Sequence, residues 1–277
     1  MPGDRLQATR FELKYRVSAE VAVRMREFIR GYLVPDEYSE GKPDYSYHNH
    51  SIYLDSDDLR LYWDVINSNK NRYKLRIRYY DDNPETPVFF EIKRRMNDAI
   101  LKKRAAVRRS AVEQLLAGQL PEAQHLFSPG PGSFDAIQEF CFLKEDLQAS
   151  PKIHVAYRRE AWVSVADNSV RVSFDREVCS ARHFTGETTT SIENYSMPFE
   201  PDVILELKFT GRFPNWFRDM VEVFGVMQLG AAKYADGVHR LGEGGTAPAG
   251  FPDDCKDVVE KLLNYRARKA RRPDGIS

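Results

Sequence analysis

One short segment carries four basic residues at every second position. From Arg72 to Tyr79 the sequence reads Arg-Tyr-Lys-Leu-Arg-Ile-Arg-Tyr. Successive side chains of a β-strand point to opposite faces, so the pattern predicts a strand with an apolar face and a cationic face of Arg72, Lys74, Arg76 and Arg78. Four like charges in a row repel one another unless water, carboxylates or a polyanion lies opposite. The segment therefore either faces bulk solvent or binds a strongly negative ligand.

Four other segments repeat this alternation of charged and apolar residues, at 10–15, 88–93, 169–175 and 204–209. Three of them carry Glu-x-Lys inside an apolar strand pattern, beginning at Glu12, Glu91 and Glu206. A solvated sheet face explains any one segment equally well. Five segments together favour one common polar surface lined by cations and a few carboxylates.

The residue types of this surface suit phosphate chemistry. Arginine binds phosphate oxygens with two parallel hydrogen bonds, and lysine binds them as a point charge. Carboxylates make little sense for anion binding alone, but they fit a divalent cation that bridges to phosphate, such as Mg²⁺ or Mn²⁺. Positioned cations and a bridging metal are what phosphoryl transfer needs.

Other catalytic signatures are absent from the sequence. It contains no P-loop, GxGxxG, HExxH or GxSxG motif. The pair His48 and His50 would face one side of a strand, which allows a metal site, although histidines on a loop or sheet surface are commoner. Their role stays open.

The composition is that of an ordinary globular protein of 277 residues. The 41 basic and 41 acidic side chains give a net charge of zero, so a polyanion site must be local and binding to nucleic acid is not predicted. The three cysteines are widely spaced, which indicates neither a disulfide framework nor a zinc site and fits a reducing compartment.

The first ten residues lack an apolar region, and no apolar stretch is long enough to span a bilayer, so we expect a cytoplasmic protein. Recruitment to a membrane by a partner protein stays open, as does the oligomeric state.

Strand patterns dominate the chain and flank a helical middle. The turn at 81–84 predicts a hairpin of strands 72–80 and 87–95, and a helix is expected at 133–149. Two separate strands are expected at 152–158 and 160–167. These elements predict an α+β fold whose antiparallel sheet closes into a barrel, with a charged interior and helices over its apolar exterior. Such a barrel would be a wet, cationic tunnel.

In the order and sequence of these segments the chain resembles the VTC domain, the catalytic domain of the vacuolar transporter chaperone. The resemblance covers residues 8–240 and rests on these segments in order: Phe11-Glu12-Leu13-Lys14-Tyr15, Ser51-Ile52-Tyr53-Leu54-Asp55, Arg72 to Tyr80, Phe90-Glu91-Ile92-Lys93, Tyr157-Arg158-Arg159, Val170 to Asp175, Leu205-Glu206-Leu207-Lys208 and Ala232-Lys233-Tyr234. It implies a single tunnel domain over 1–277 with its core at about 8–240, and the apolar residues Val258, Leu262 and Tyr265 separately predict a C-terminal helix at 254–272. It also implies the triphosphate tunnel metalloenzyme superfamily, in which ATP, polyphosphate and a divalent metal, commonly Mn²⁺, share the tunnel.

The resemblance also implies roles for individual residues. Those expected to act in catalysis are Arg76, Arg78, Lys93, Arg171 and Glu206. Those expected to bind phosphate are Lys14, Arg72, Lys103, Arg158 and Lys233, with Lys102 placed as well as Lys103. The metal is expected on Glu206 with help from Glu91 or Glu12. In the eukaryotic polymerases of this family a second lysine is expected shortly after the one matched by Lys233, where this chain has Tyr234-Ala235-Asp236.

The expected activity is therefore that of a polyphosphate polymerase, which transfers the γ-phosphate of ATP to a growing polyphosphate chain. A hydrolase of tripolyphosphate or nucleoside triphosphates would use the same residues. A module that binds polyphosphate without turnover is the third interpretation.

Overall fold

In the computed structural model, residues 10–97, 99–165 and 169–242 are described. They form nine strands: β1 (Arg10–Val17), β2 (Val34–Pro35), β3 (Ser46–Asp55), β4 (Asn71–Tyr79), β5 (Val88–Met96), β6 (Ala99–Val107), β7 (Ser150–Val163), β8 (Val170–Arg182) and β9 (Val203–Thr210). They also form six α-helices: α1 (Ala19–Ile29), α2 (Arg60–Ile66), α3 (Val112–Leu116), α4 (Ser133–Leu147), α5 (Asn215–Val223) and α6 (Lys233–Leu241). The C-terminal helix expected at 254–272 lies outside the described residues.

All nine strands join one antiparallel sheet in the order β1-β9-β8-β7-β3-β4-β5-β6, with the short β2 paired to β7. The sheet is strongly curled, because Glu12 on β1 and Lys93 on β5 form an ion pair of 3.0 Å although five strands lie between β1 and β5 in this order. The α+β class and the antiparallel sheet are confirmed.

The predicted closure into a barrel is wrong, because β1 and β6 do not pair through their backbones. Other segments occupy part of both free edges. Leu229 donates its backbone N–H to the carbonyl of Lys14 in β1. On the other edge, Phe127 donates its N–H to the carbonyl of Ala106 in β6. These bonds occupy backbone groups on both edges, and the contact across the concave face is made by side chains, as between Glu12 of β1 and Lys93 of β5.

Apolar side chains on the convex face pack under helices in two layers. Under α4, the buried Leu75 and Ile77 of β4 join Phe90 of β5 and Phe140 in one core. Under α1 and α5, the residues of β8 and β9 form a second core with Met25, Ile29, Phe217 and Met220. The apolar phase predicted for β4 is therefore the buried one, and its charged phase faces the concave side.

The predicted hairpin is present as β4 and β5, and α4 matches the predicted helix within two residues. The two strands expected at 152–158 and 160–167 are instead one strand, β7, of 14 residues. Both faces of β7 are almost entirely buried. Its sequence therefore lacks the clear alternation of polar and apolar residues that would indicate one continuous strand. Sequence reasoning missed α6, which packs with α2 against Tyr53 and Ile153 at one end of the concave face.

Candidate functional site

Charged residues of seven strands lie on the concave face of the sheet, because the strand registers keep their alternation in phase. Lys14 on β1 is opposite Glu206 on β9, and Glu206 is opposite Ser173 on β8. In the other half of the sheet, Arg76 on β4 is opposite Glu91 on β5. We call this lining the charged interior, and its members are Glu12, Lys14, Lys74, Arg76, Arg78, Glu91, Lys93, Lys102, Arg104, Arg159, Arg171, Asp175, Glu206, Lys208 and Lys233. Cations outnumber carboxylates in it.

Glu206 is the centre of the first ion-pair group. Its carboxylate lies 2.8 Å from Lys208 Nζ, 3.2 Å from Lys233 Nζ, 3.3 Å from Arg159 Nη2 and 3.4 Å from Lys14 Nζ. Burial by itself would raise the pKa of the Glu206 carboxyl, but the surrounding cations hold it well below its usual range. Glu206 is therefore an ionised carboxylate at neutral pH.

Asp175 supports this group from the neighbouring strand. The guanidinium of Arg159 donates two hydrogen bonds of 2.7 Å to the two oxygens of Asp175. Lys233, at the start of α6, approaches Asp175 Oδ2 at 2.5 Å and so spans both carboxylates. Helix α6 thereby contributes a cation to a site otherwise built on strands, and the two-pronged bond orients Arg159.

Glu91 is the centre of a second group at the β4–β6 side of the interior. It lies 2.6 Å from Arg76 Nη2, 2.7 Å from Lys102 Nζ and 3.6 Å from Arg104 Nε. Arg76 also donates a hydrogen bond of 3.2 Å to Tyr53 Oη. Burial would raise the pKa of Glu91, but Arg76, Arg78 and Lys102 hold it well below its usual range.

Two cations of the interior, the buried Arg78 and the half-buried Lys74, have no carboxylate in ion-pair distance among the described residues. Arg78 donates to Tyr157 Oη at 3.1 Å and to Ser51 Oγ at 3.4 Å, both neutral partners. Lys74 Nζ lies 6.0 Å from the centre of the Tyr234 ring. Desolvation lowers the pKa of Lys74 to about 8. Both positions can accept the negative charge of a phosphate group.

The donors of the interior fit a divalent cation only in the presence of phosphate. Glu12 and Glu206 each contact Lys14 Nζ at 3.4 Å, so two carboxylates lie on one short stretch of the interior. Among the described residues, however, no three His, Cys, Asp or Glu side chains are arranged around a common ion position. Mg²⁺ and related ions use one or two carboxylates together with phosphate oxygens and water, and this donor set fits that mode.

Most residues predicted from the sequence come together in the charged interior. Lys14, Lys93, Glu206 and Lys233 belong to the Glu206 side, and Arg76, Arg78 and Glu91 belong to the other. Arg171 lies near one end, where it forms an ion pair of 2.5 Å with Asp36. Arg72 lies at the opposite end, where its guanidinium donates to the carbonyl of Asn69.

Two predicted phosphate ligands lie outside the interior. Lys103 points to the convex side, is 54% exposed and pairs with Glu139 of α4. Arg158 pairs with Asp44 and Glu177 on the other face of β7. In each case the adjacent basic residue, Lys102 or Arg159, lies inside.

Sequence reasoning also left out Lys74, Lys208 and Asp175 as site residues. The signal for them was present, since each has the same phase as a residue that was chosen: Lys74 with Arg76, and Lys208 with Glu206. Asp175 shares its alternation with Arg171. Applying the period of two to the whole of each strand would have found all three.

The histidine pair lies outside the charged interior. His50 is buried, and its Nδ1 lies 3.1 Å from Nε2 of His154. Desolvation lowers the pKa of His50 to about 4 and that of His154 to about 3, so both rings are neutral at physiological pH. Neither belongs to the phosphate-binding face.

Within the described residues, no helix is both long enough and apolar enough to cross a bilayer.

Comparison with known proteins identifies a family and a likeness to solved structures. The sequence model of the VTC domain family matches residues 9–241. Curated protein sequences give no significant match. Among solved structures, the chain is similar to a crystal structure described as "a putative adenylate cyclase" from Bacillus halodurans, at 16% sequence identity and a TM-score of 0.44. That alignment covers 84% of this chain and 97% of the other.

Proposed function

Since this chain belongs to the VTC domain family, we propose that it is a polyphosphate polymerase, which transfers the γ-phosphate of ATP to the end of a growing polyphosphate chain. The observation that carries the proposal is the charged interior itself. Its cations come from opposite sides of one curled sheet, and two of them, Lys74 and Arg78, have no carboxylate partner among the described residues. A long polyanion neutralises such a surface at several points at once.

Phosphoryl transfer requires mainly that the protein position the reactants and neutralise their charge. The terminal oxygen of the acceptor chain attacks the γ-phosphorus of ATP, the bond to the β,γ-bridging oxygen breaks, and ADP leaves. Arg76, Arg78 and Lys93 hold phosphate oxygens and stabilise the charge that spreads over the transferred group. Arg159 and Arg171 hold the chain on the β7–β8 side. Lys14 and Lys233 lie along the same path, beside Glu206.

A divalent cation, Mn²⁺ or Mg²⁺, would bind at Glu206 with Glu12 as the second carboxylate. When bound, it would neutralise charge on the β- and γ-phosphates. Glu12 is favoured over Glu91 because Glu12 and Glu206 share Lys14, whereas Glu91 is held by Arg76 and Lys102. Entry of substrate would move the lysines from the carboxylates to phosphate oxygens.

One observation favours hydrolysis of tripolyphosphate or nucleoside triphosphates as the second candidate. Asp236 stands near the place where a second lysine is expected in the eukaryotic polymerases of this family, and its carboxylate accepts a hydrogen bond of 2.6 Å from the backbone N–H of Ala232. A cation is thus replaced by an acidic group in the helix that supplies Lys233. An acceptor chain would be held less tightly there, and water would compete as the nucleophile.

The test is to incubate the purified protein with ATP and Mn²⁺, with and without a short polyphosphate primer, and to follow ADP, free phosphate and polymer length together. ADP with a lengthening polymer and little free phosphate supports the polymerase. Free phosphate without polymer supports the hydrolase. Tight polyphosphate binding without turnover would leave only a binding module. Arg78→Ala should lose the activity, whereas the convex-side control Arg158→Ala should keep it.

A further inference from the structure

Four aromatic rings gather at one end of the charged interior. Tyr38 lies 5.6 Å from Tyr47 and 6.4 Å from Tyr80, measured between ring centres, and Tyr80 lies 5.9 Å from Phe89. The rings of Tyr38 and Tyr80 are parallel to within 10°. We call these four residues the aromatic mouth.

The strand registers place the aromatic mouth directly beside the phosphate-binding cations. Phe89 on β5 is opposite Arg78, and Tyr47 on β3 is opposite Arg159. Tyr80 follows the last residue of β4 in the phase of Arg78. The rings therefore surround the end of the interior at which β3 and β5 begin and β4 ends. The other end is the one where α2 and α6 pack against Tyr53.

Guanidinium groups flank the rings. Arg104 stacks over Phe89, with its central carbon 3.5 Å from the ring centre, and also contacts Glu91. Arg171 donates a hydrogen bond of 3.3 Å to Tyr47 Oη. The mouth thus offers flat π faces next to cations that continue into the interior, which is the arrangement that binds a base joined to phosphates.

The fold does not require an exposed ring at Tyr38. The loop that carries it is anchored by its neighbours: Asp36 donates its N–H to the carbonyl of Ala161, and the N–H of Ala161 bonds to Ser39 Oγ. Tyr38 stands between these anchors, and its side chain is 57% exposed. A large ring held in solvent beside parallel and cationic neighbours is available for stacking.

We propose that the aromatic mouth binds the base of a nucleoside triphosphate, stacked on Tyr38 and Tyr80, while its phosphates run inward past Arg104 and Arg171 to Arg78. The inference deepens the proposed function, on which it rests for the phosphate path. Stacking uses the π face that every base has, so purine nucleotides should bind with little selection between adenine and guanine.

The test compares ATP with tripolyphosphate, which has the same number of phosphates and no base. Binding of each is measured by calorimetry in EDTA, so that no metal-dependent turnover occurs, for the natural protein and for Tyr38→Ala and Tyr80→Ala. Each substitution should weaken ATP about fivefold or more and leave tripolyphosphate within about twofold. Tyr38→Trp should restore ATP binding, and GTP should bind about as well as ATP.

The matched control is Tyr32→Ala, which removes a 50% exposed ring that stacks on Trp216 over the convex side. It should change neither affinity. Equal weakening of ATP and tripolyphosphate by Tyr38→Ala in a protein with unchanged melting temperature would overturn the base site, since the ring would then act on the phosphates. Natural protein that binds tripolyphosphate as tightly as ATP, with neither changed by Tyr38→Ala, would also overturn it and leave the phosphate path intact. Binding of neither ligand would overturn the proposed function as well.

Discussion

Arg76 and Glu91 form an ion pair of 2.6 Å across neighbouring strands, at a place where the Glu91 side chain is only 1% exposed. The same carboxylate also binds Lys102 and lies near Arg104. Three cations thus share one buried anion on the concave face of the sheet rather than in the apolar core. The ion pairs stabilise this group in the absence of substrate. Three cations to one carboxylate leave a net positive charge that can bind an anionic substrate.

Glu91→Gln should destabilise the free protein and increase the stabilisation that a bound polyanion gives. The substitution leaves Arg76, Lys102 and Arg104 without their carboxylate, at a cost of about 1–3 kcal/mol, below that of breaking a fully buried pair because Lys102 and Arg104 reach solvent. Tripolyphosphate should then raise the melting temperature more than it does for the natural protein. Glu139→Gln, which loses the exposed pairs with Lys103 and Arg94, is the control and should cost less than about 1 kcal/mol. Equal ligand-induced shifts in both variants would contradict the prediction.

Lys102→Ala should weaken tripolyphosphate binding about tenfold or more, because a charged phosphate contact on the concave face is lost. Lys103→Ala should leave it unchanged, because that side chain points to the convex side beside Glu139. Calorimetric titration of both variants tests which of these two neighbouring lysines of β6 points to the concave face. The reverse ranking would mean that β6 is shifted by one residue.

Glu206→Gln should reduce metal-dependent turnover of ATP by about 100-fold or more without weakening ATP binding in EDTA. The carboxylate is surrounded by Lys14, Lys208 and Lys233, so its loss frees cations for phosphate while removing the oxygen ligand. The measurement is initial rate against Mn²⁺ concentration, with melting temperature as the folding control. An unchanged Mn²⁺ dependence would rule out the metal role.

Tripolyphosphate affinity should fall as the pH rises from about 7 to about 9, although the ligand itself becomes more negative. Desolvation lowers the pKa of Lys74 and of Lys102 to about 8, so both lose their charge in this interval. Burial would raise the pKa of Tyr53, but Arg76, Lys74 and Arg78 lower it to about 7, which removes further positive charge. Lys74→Arg keeps the positive charge at this position, so tripolyphosphate affinity should decline less steeply with pH. The remaining decline is expected from Lys102 and Tyr53. A decline of the same size in Lys74→Arg would exclude Lys74 as its source.

Leu75→Ala should lower the free energy of unfolding by about 2–5 kcal/mol while the folded protein keeps its tripolyphosphate affinity. Leu75 is fully buried under α4, on the face of β4 opposite to Lys74. Lys74→Ala should do the reverse, with little loss of stability and a clear loss of affinity. Urea denaturation and calorimetry of the two variants separate the faces. Loss of affinity in folded Leu75→Ala would show that the two phases are exchanged.

The sequence by itself determined which faces of the strands are charged. A strand has a period of two whatever lies beside it, so Arg76 and Arg78 had to share a face opposite Leu75 and Ile77. The apolar phase then had to be buried, which put the charged phase on the concave side. The antiparallel sheet and the helices over its apolar side follow from the same pattern.

Only the tertiary structure decided between adjacent residues of the same type. Lys102 and Lys103, or Arg158 and Arg159, are equivalent by local pattern, and only the pairing of Lys102 with Lys93 and of Arg159 with Asp175 turns one of each inward. The bulge where β7 and β8 shift register between Ala156 and Arg158 adds a change of phase that no single strand contains.

The open sheet, the aromatic mouth and the sharing of carboxylates were likewise beyond sequence reasoning. Each depends on contacts between residues far apart in the chain, such as Leu229 with Lys14, Tyr38 with Tyr80, and Lys233 with Glu206. Periodicity reports which way a side chain points relative to its own strand. Which groups it meets there depends on how the strands are ordered and curled, and that is set by the packing of the whole domain.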